Sequence, residues 1–455
     1  MHRTFLEYFC AWSFVWQFMV TQTLGIDGLI NDVFGDHWRD EKWHEVLRLI
    51  AGMIDAKFVG DIISYLMEQD GEEEKFLNLF LAGKCLLEVR SRLGIDDVES
   101  RLLNRLKDLT RYDLGYFYEV YERYSRKNNT DLFLVFETTT QREIYQKNVD
   151  LVREIRTQAV EIVATTWRDD SLTDTWLKQR VESDESSDVR GEAVRQIATG
   201  WKQEPGIFVL LKQWVVSHEN SQVRREAIGQ IGTGWKHEPG ILDLLKQRVE
   251  SDESSDVRGE ALRQIATGWR QELGILELLK QRVESDESSD VQGEALRQIA
   301  TGWRQEPEIF ELLKQWVMSD DSEDVRGEAV RQIATGWKHE SGIFELLKQW
   351  VVSDDSSDVR SEAVRQIATG WKHEPGILDL LKQWVVSHDS EQVRREALRQ
   401  IASGWKHEPG ILDLLKQRVV SDESWDVRRE AVEQIAIRWK HEPGILDLLK
   451  QRVVS

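Results

Sequence analysis

Cysteine is nearly absent from this sequence, and its scarcity excludes two kinds of stabilising site. Only Cys10 and Cys85 occur in 455 residues, so the chain has neither a disulfide framework nor a four-cysteine zinc site. Disulfide-rich proteins belong to oxidising compartments, and a chain without them favours a reducing one. We therefore expect a cytoplasmic protein.

Basic residues are also in short supply. Lysine and arginine number 60 against 81 acidic residues, which gives a net charge of −21. A broad nucleic-acid footprint needs a face rich in lysine and arginine to displace counterions. The charge argues against such a footprint, although it is compatible with a local basic patch. We expect no nucleic-acid partner.

The sequence has no long apolar run. A membrane helix needs about twenty apolar residues, and the most apolar stretch, residues 5–20, is shorter and contains Glu7 and Gln17. A signal peptide needs a basic start, a clean apolar stretch and a small-residue cleavage site. We expect no membrane association and interpret this stretch as a buried helix.

Repetition is what the sequence has in abundance. One unit of 34 residues spans 188–221, and nine units fit between Glu154 and Ser455. Their tryptophans recur without insertion or deletion at Trp167, Trp201, Trp235, Trp269, Trp303, Trp337, Trp371, Trp405 and Trp439. A fixed period of this length is typical of stacked structural repeats.

Each unit predicts two short helices. Apolar residues at 189, 193, 194, 197, 198 and 201 follow the 3.6-residue period of a first helix. Asp188 is the expected N-cap of this helix, and Gly200 is expected to end it in a left-handed turn. The second helix is expected to begin at Pro205, because all six prolines occupy this column and proline suits the first helical position.

The predicted fold is an all-α superhelix, a solenoid of HEAT or armadillo type. Tryptophan ends the first helix and proline begins the second, which differs from the tetratricopeptide pattern of the same period. We predict nine HEAT-like repeats over 151–455 after an irregular helical region over 1–150. Within that region we predict helices near 3–23, 40–54, 57–69, 73–92, 96–110, 113–127 and 141–150, with Asp36 and Asp40 as caps. Residues 132–136 are a short strand or a connector.

A variable column in the second helix supplies the candidate binding residues. Tryptophan and arginine are enriched at interface hot spots, and the second helix of HEAT-type solenoids usually lines the concave face. We expect a protein ligand there. The alternative is a half-exposed flank on which either flat side chain covers apolar surface. The candidate contacts are Trp214, Arg248, Arg282, Trp316, Trp350, Trp384 and Arg418.

Two other columns have a chemical and a structural interpretation. The tryptophans at 34-residue intervals either form a ladder that stacks bases or pack in the core between units. They continue the apolar stripe of the first helix, which favours packing. His237, His339, His373, His407 and His441 recur in a turn, about 10 Å apart in successive units, too far to share a metal. We predict a solvated turn, with no metal site, no catalytic residue and no cofactor.

The first residues resemble a known family. HRTFLEYFCA, from His2 to Ala11, is similar to the F-H-x-T-F-x-E-Y-F-x-A motif of NACHT-type NTPases of the STAND class, which lies in their winged-helix region. Residues 37–55 resemble the helical region that follows in bacterial members. Residues 189–202 match the VRxEAVxxIAxGWK pattern of their HEAT-like repeats.

The resemblance implies a switch. In the family, the NTPase core holds ADP in a closed state, and a ligand that binds the repeats opens the molecule. The proteins then oligomerise and activate an effector. Bacterial members act in antiphage defence. His2 takes the place of the phosphate-sensing histidine. The phosphate-binding core is missing here, so we expect no ATPase activity. Either a nucleotide-binding domain lies N-terminal to this chain in a larger protein, or this half works as a separate partner-binding subunit. The last unit shows no polar cap, so we expect another chain or further repeats to cover it.

The leading hypothesis is therefore the non-catalytic sensor portion of a NACHT-like signalling NTPase. A stand-alone scaffold or adaptor is the first alternative. A HEAT-like bilin lyase is the second, and it predicts that the chain binds a bilin and shifts its absorption.

Overall fold

The computed structural model describes residues 3–113, 139–319, 322–439, 442 and 445. Every regular element within them is a helix, which confirms the predicted all-α class. The chain forms two compact units, Met1–Trp235 (unit 1) and Lys236–Ser455 (unit 2). None of the helices in these ranges combines the length and the apolar run that a membrane span requires.

Unit 1 begins with irregularly arranged helices. α1 continues into a π-helical turn at Trp16–Val20, and α2 continues into another at Leu29–Gly35. Among the described residues, the helices before the regular repeats are α1 (Arg3–Val15), α2 (Ile26–Gly28), α3 (His44–Met53), α4 (Ala56–Glu68), α5 (Leu77–Leu87), α6 (Asp96–Leu109) and α7 (Thr139–Thr166). Residues 114–127 of one predicted helix, and the predicted strand or connector at 132–136, lie outside the described residues.

One apolar core joins this irregular region to the repeats. Phe34, Trp38 and Phe80 are buried in it, together with Ile162 and Trp167 at the end of α7. Each large apolar side chain that is fully buried contributes about 1.5–3 kcal/mol relative to an exposed one. The predicted division at residue 150 falls inside α7 and stays a prediction of where the repeats begin.

The repeats supply two rows of helices. The first helices in unit 1 are α9 (Ser187–Gly200) and α11 (Ser221–Gly234), and the second helices are α8 (Ser171–Ser183) and α10 (Ile207–Ser217). In unit 2 the first helices are α13 (Ser255–Gly268), α15 (Ser289–Gly302), α17 (Glu323–Gly336), α19 (Ser357–Gly370), α21 (Glu391–Gly404) and α23 (Trp425–Arg438). The second helices there are α12 (Ile241–Ser251), α14 (Ile275–Ser285), α16 (Pro307–Ser319), α18 (Ile343–Ser353), α20 (Ile377–Ser387) and α22 (Ile411–Ser421).

The helix ends differ from the predicted ones by a few residues. α9 begins at Ser187, and the Ser186 hydroxyl accepts the Val189 N–H as its cap. Asp188 therefore lies inside the first turn, where its charge favours the helix dipole. The left-handed glycine is Gly206, with φ of 99° before α10, because the chain must reverse direction there.

Two predicted caps in the irregular region are also wrong. α3 begins at His44 after Trp43, without a side-chain cap. Asp36 ends the preceding π-helical turn, and Asp40 instead accepts the Lys42 N–H at 3.0 Å. A short turn over residues 41–43 separates Asp40 from the helix, and this turn is absent from the predicted pattern.

Helix packing follows one rule within each unit. A second helix packs most closely on the first helix that comes after it in the chain, and successive first helices pack side by side. Among the described residues, successive second helices stand further apart. The expectation that the second helices line a concave face stays a prediction.

Candidate interaction face of the repeats

The tryptophans of the predicted binding column lie in the core. Trp214, Trp316, Trp350 and Trp384 are only 3–7% exposed. Trp214 follows the buried Ile207 by seven residues and the buried Leu211 by three. This spacing places the column on the same apolar stripe of the helix. The expectation that these rings stand on the surface is therefore wrong. Their contact with a partner stays a prediction.

Arginine takes the same buried position in other repeats. Arg180 and Arg418 are buried, whereas Arg248 and Arg282 are half-buried. The Arg180 Nη1 lies 3.1 Å from Asp184 Oδ2, four residues later, and this carboxylate compensates the charge. The alternative interpretation places this column on a half-exposed flank of the helix. Of the candidate residues, only Arg248 and Arg282 have that exposure.

Two residues beyond this column, a row of apolar side chains faces solvent in unit 2. Met318, Val352, Val386 and Val420 are 53–73% exposed, and they occupy equivalent positions on α16, α18, α20 and α22. We call these four residues the exposed apolar row. The same column carries the exposed Glu250 and Glu284 on α12 and α14. In unit 2 the row is therefore a property of four successive repeats and is not required by the fold, and in unit 1 the exposed Val216 occupies the same column.

The tryptophans at 34-residue intervals pack between repeats. Trp201, Trp303 and Trp439 are buried, which confirms the packing interpretation for them, and the other repeat tryptophans are half-buried except for the buried Trp167. In unit 2 the Lys338 Nζ lies 5.8 Å from the Trp371 ring centroid, one repeat later. A cation over an indole stabilises such a contact by about 0.5–1 kcal/mol. These rings are covered and do not form an open stacking ladder.

A ladder of charged side chains crosses the first helices and was not predicted from the sequence. Each arginine of the ladder binds a glutamate three residues earlier on its own helix and a glutamate on the next first helix. Arg331 shows the geometry, with Nη1 2.7 Å from Glu328 and Nε 3.0 Å from Glu362. The arginines of the ladder in unit 2 are Arg263, Arg297, Arg331, Arg365 and Arg399.

The ladder has a clear electrostatic signature. The hydrogen bond to Glu362 is the main cause that raises the pKa of Arg331 above its usual value, and burial opposes it. In unit 1, burial raises the pKa of Glu192 above its usual 4.5, while Gln196 and Arg195 lower it. The buried carboxylates thus need their arginines. A signal was present in the sequence, namely glutamate and arginine recurring three residues apart in successive repeats.

The repeated histidines and Cys85 bear on catalytic and metal chemistry, and His441 lies outside the described residues. His237, His339, His373 and His407 are exposed, as predicted for a solvated turn, and no group of three metal-ligating side chains occurs among the described residues. Burial raises the pKa of the Cys85 thiol to about 12, so it is not an activated nucleophile. His2, the histidine with an implied nucleotide role, lies outside the described residues.

Helix α1 exposes an aromatic stripe. Phe5, Phe9, Trp12 and Trp16 are 44–61% exposed, and their spacing places them on one face of the helix. We call these four residues the α1 aromatic face. The opposite side of the helix buries Ala11 and packs Phe14 on Trp43. The predicted buried helix is therefore buried on one side only.

The comparison with protein families agrees with this architecture. The family model described as HEAT repeats matches residues 173–266, 275–368, 344–436 and 378–455. None of the curated proteins compared with the chain matches it. The crystal structure of Kap121p is similar, with 13% sequence identity and a TM-score of 0.34 over 89% of this chain and 42% of that one. This chain thus spans less than half of the length of Kap121p.

The HEAT-repeat matches cover more than half of the chain. They include the helices that carry the exposed apolar row and the charged ladder. The chain belongs to the HEAT-repeat family.

Proposed function

We propose that this chain is a non-catalytic protein-interaction solenoid that binds a protein ligand on the second helices of unit 2. The observation that carries the proposal is the exposed apolar row of Met318, Val352, Val386 and Val420. Contiguous exposed apolar patches mark interaction sites in soluble proteins. Isolated apolar side chains on a surface need no explanation, whereas a repeated column of them does.

The length of the row suits a protein partner. Helices in such stacks lie about 10 Å apart, so four repeats extend over about 30 Å. A standard protein interface buries about 800 Å² on each partner, which a row of this length supports. Removing an apolar methylene from water contributes about 0.8 kcal/mol, so the four side chains together are a substantial source of affinity.

The test replaces each residue of the row by glutamate. We call the protein with Met318→Glu, Val352→Glu, Val386→Glu and Val420→Glu the row variant. Glutamate already occupies this column at Glu250 and Glu284, so we expect the row variant to fold normally. The control variant carries glutamate at four exposed first-helix positions, Thr301, Thr335, Thr369 and Ser403.

The readout is capture of partners from the source cells. We expect a partner that the wild type and the control variant retain and the row variant loses, with equal helical content in all three. Retention of every captured protein by the row variant would contradict the proposal.

The finer proposal is that this interaction surface belongs to the sensor portion of a NACHT-like signalling NTPase of antiphage defence. The resemblance at residues 2–11 and 37–55 supports it. The α1 aromatic face supports it too, because a domain that packs on this face covers Phe5, Phe9 and Trp12. On this proposal the covering domain is the nucleotide-binding core.

This finer proposal is tested on the gene. An open reading frame that extends upstream of the Met1 codon into a G-x-x-x-x-G-K-[ST] motif supports it. A stop codon directly upstream, together with the same endogenous partner before and after phage infection, contradicts it and favours a stand-alone scaffold.

A further inference from the structure

Arginines at the start of the first helices in unit 2 form a second, regular set of bridges between repeats. Each reaches the turn of the next repeat, twenty-eight residues later, and binds an aspartate there. Both side chains of each pair are largely buried. The pairs are Arg258–Asp286 (3.0 Å), Arg326–Asp354 (2.5 Å) and Arg394–Asp422 (3.1 Å).

Arg360 departs from this pattern. The position twenty-eight residues later is His388 instead of aspartate. The Arg360 Nη1 donates to the Asp354 carbonyl at 2.5 Å, as the equivalent arginines do on their own turns. Its Nε is buried and has no hydrogen-bond partner in the described part of the chain. An unpaired guanidinium edge therefore faces the turn at His388.

His388 does not compensate this arginine. Its Nδ1 accepts the Ser390 N–H at 3.1 Å, so the ring replaces the turn-forming role of the aspartate but supplies no negative charge. Burial is the main cause that lowers the pKa of His388 below its usual 6.5, and Arg360 and Arg394 lower it further. The backbone of Val351 and the carboxylate of Asp389 oppose this shift. His388 is consequently neutral at neutral pH.

A pocket of about 570 Å³ lies at this position, within the range of ligand-binding pockets. Arg360 and His388 line it, and hydroxyl and amide groups supply further hydrogen-bond donors. Val352 of the exposed apolar row forms one side. The other lining side chains are Gln383, Trp384, Ser387, Ser390 and the acidic Asp389.

We propose that this pocket binds a carboxylate group, which takes the place of the aspartate that the other repeats provide and pairs with Arg360. The neighbouring Asp354 and Asp355 are already bound by Arg326 at 2.5 and 2.7 Å. Arg394 is held by Asp422. Among the described residues, no carboxylate forms an ion pair with Arg360, the lining cation, and Asp389, which also lines the pocket, opposes the anion.

The ligand class follows from this geometry. A guanidinium edge binds a carboxylate through two parallel hydrogen bonds, and the pocket is larger than a single carboxylate. The ligand is therefore a carboxylate attached to a small body, such as an acidic side chain or a peptide C-terminus. This inference is independent of the protein partner proposed above, since small carboxylates test it.

The experiment follows thermal unfolding in the presence of N-acetyl-aspartate N-methylamide, with chloride as the matched salt. We expect a saturable rise in the unfolding temperature of the wild type. His388→Asp supplies the missing carboxylate, so this variant should unfold at a higher temperature than the wild type and should not respond to the ligand. An N-acetylated dipeptide with a free C-terminus and succinate, tested alongside, rank the possible sources of the carboxylate.

His218→Asp is the matched control. His218 occupies the same column in unit 1, where Arg190 lies 3.9 Å from Glu219, so this variant should keep the full response of the wild type. Absence of any response in the wild type at tens of millimolar ligand would overturn the proposal, and so would an equal response in His388→Asp. Because Arg360→Lys keeps the charge but loses the paired donors, it should bind more weakly in the same titration.

Discussion

The Nε of Arg331 lies 3.0 Å from the Oε1 of Glu362, thirty-one residues later on the next first helix. The same guanidinium binds Glu328 on its own helix. Arg331 is 44% exposed at its side chain, whereas the glutamates are 7% and 6% exposed. A half-exposed cation thus compensates two buried carboxylates, and it couples neighbouring repeats through charge as well as through apolar packing.

Arg331→Gln should therefore destabilise the protein. It removes one of the two arginines that each of Glu328 and Glu362 binds, and removing one partner of a buried pair costs about 3–5 kcal/mol. The exposure of Arg331 reduces this, so we expect a loss of about 2 kcal/mol. Urea denaturation measures it. Adding Glu362→Gln should restore part of the loss, because the buried charge is then removed.

Lys348→Gln is the matched control for the ladder. Lys348 pairs with Glu345 at 3.1 Å, but Glu345 is exposed. Such surface pairs contribute about 0–1 kcal/mol. A loss from Lys348→Gln as large as that from Arg331→Gln would mean that the ladder has no special role.

Trp350→Ala should lower stability more than Trp350→Arg does. Alanine leaves a cavity in the core, which costs about 3–5 kcal/mol for a buried aromatic residue. Arginine fits this column in other repeats, as Arg418 does, and Asp354 lies four residues later as Asp184 does after Arg180. Thermal unfolding followed by circular dichroism compares the two. Equal losses of stability in the two variants would show that arginine cannot replace tryptophan at this position.

The same variants bear on the predicted partner contacts of this column. If Trp350→Arg keeps both the fold and the partner, the buried ring acts through packing. If it folds and loses the partner, direct contact of the tryptophan column with the ligand gains support. Trp316 and Trp384 allow the same comparison in the neighbouring repeats.

Stability should fall as the pH decreases below about 6.5. Burial lowers the pKa of His44, His218 and His388 below 6.5. Below that value the unfolded chain therefore binds protons before the folded one does. The stability that the neutral histidines contribute is present above the unfolded pKa and is lost as the pH falls through the folded pKa. At His218, Glu182 and Glu219 oppose the shift, and Arg190 adds to it.

The double variant His218→Asn and His388→Asn isolates this effect. Asparagine keeps an acceptor for the N–H groups of Asn220 and Ser390 that the histidine Nδ1 atoms now accept, but it does not titrate. Its unfolding temperature should fall less between pH 7 and pH 5 than that of the wild type. His373 is exposed, and His373→Asn is the control variant. Its unfolding temperature should fall between pH 7 and pH 5 as much as that of the wild type. An unchanged slope in the double variant would contradict the assignment.

The α1 aromatic face should make the isolated chain associate with itself. Phe9→Ser together with Trp12→Ser removes two exposed aromatic side chains, so we expect less association and an unchanged unfolding temperature. Sedimentation velocity over a range of protein concentrations measures it. A sedimentation coefficient that is independent of concentration in both proteins would contradict the role of this face as an uncovered interface.

The sequence predicts the architecture well, because the information lies in columns. The 34-residue period, the two apolar stripes and the proline column together specify a helix pair, and the structure confirms it. The boundaries are less certain because Ser186 competes with Asp188 as the cap. The left-handed residue is likewise Gly206 and not Gly200, since the reversal occurs before the second helix.

The candidate site is predicted less well. Trp214 and its equivalents attract attention as hot-spot residues, but their position relative to Ile207 already places them on the buried stripe. The exposed apolar row lies only two residues away and is chemically ordinary, so residue type alone does not mark it. The unpaired Arg360 is recognisable only when its neighbour in the next repeat is known, because the deciding change is the histidine at position 388.

The most direct test of the account is hydrogen–deuterium exchange on the complex between the chain and its captured partner. We expect the partner to slow exchange in α16, α18, α20 and α22 around Met318, Val352, Val386 and Val420. We expect little change in the first helices that carry the charged ladder. Protection confined to the first helices, with the second helices unchanged, would contradict the central claim that this protein binds its ligand through the second-helix face.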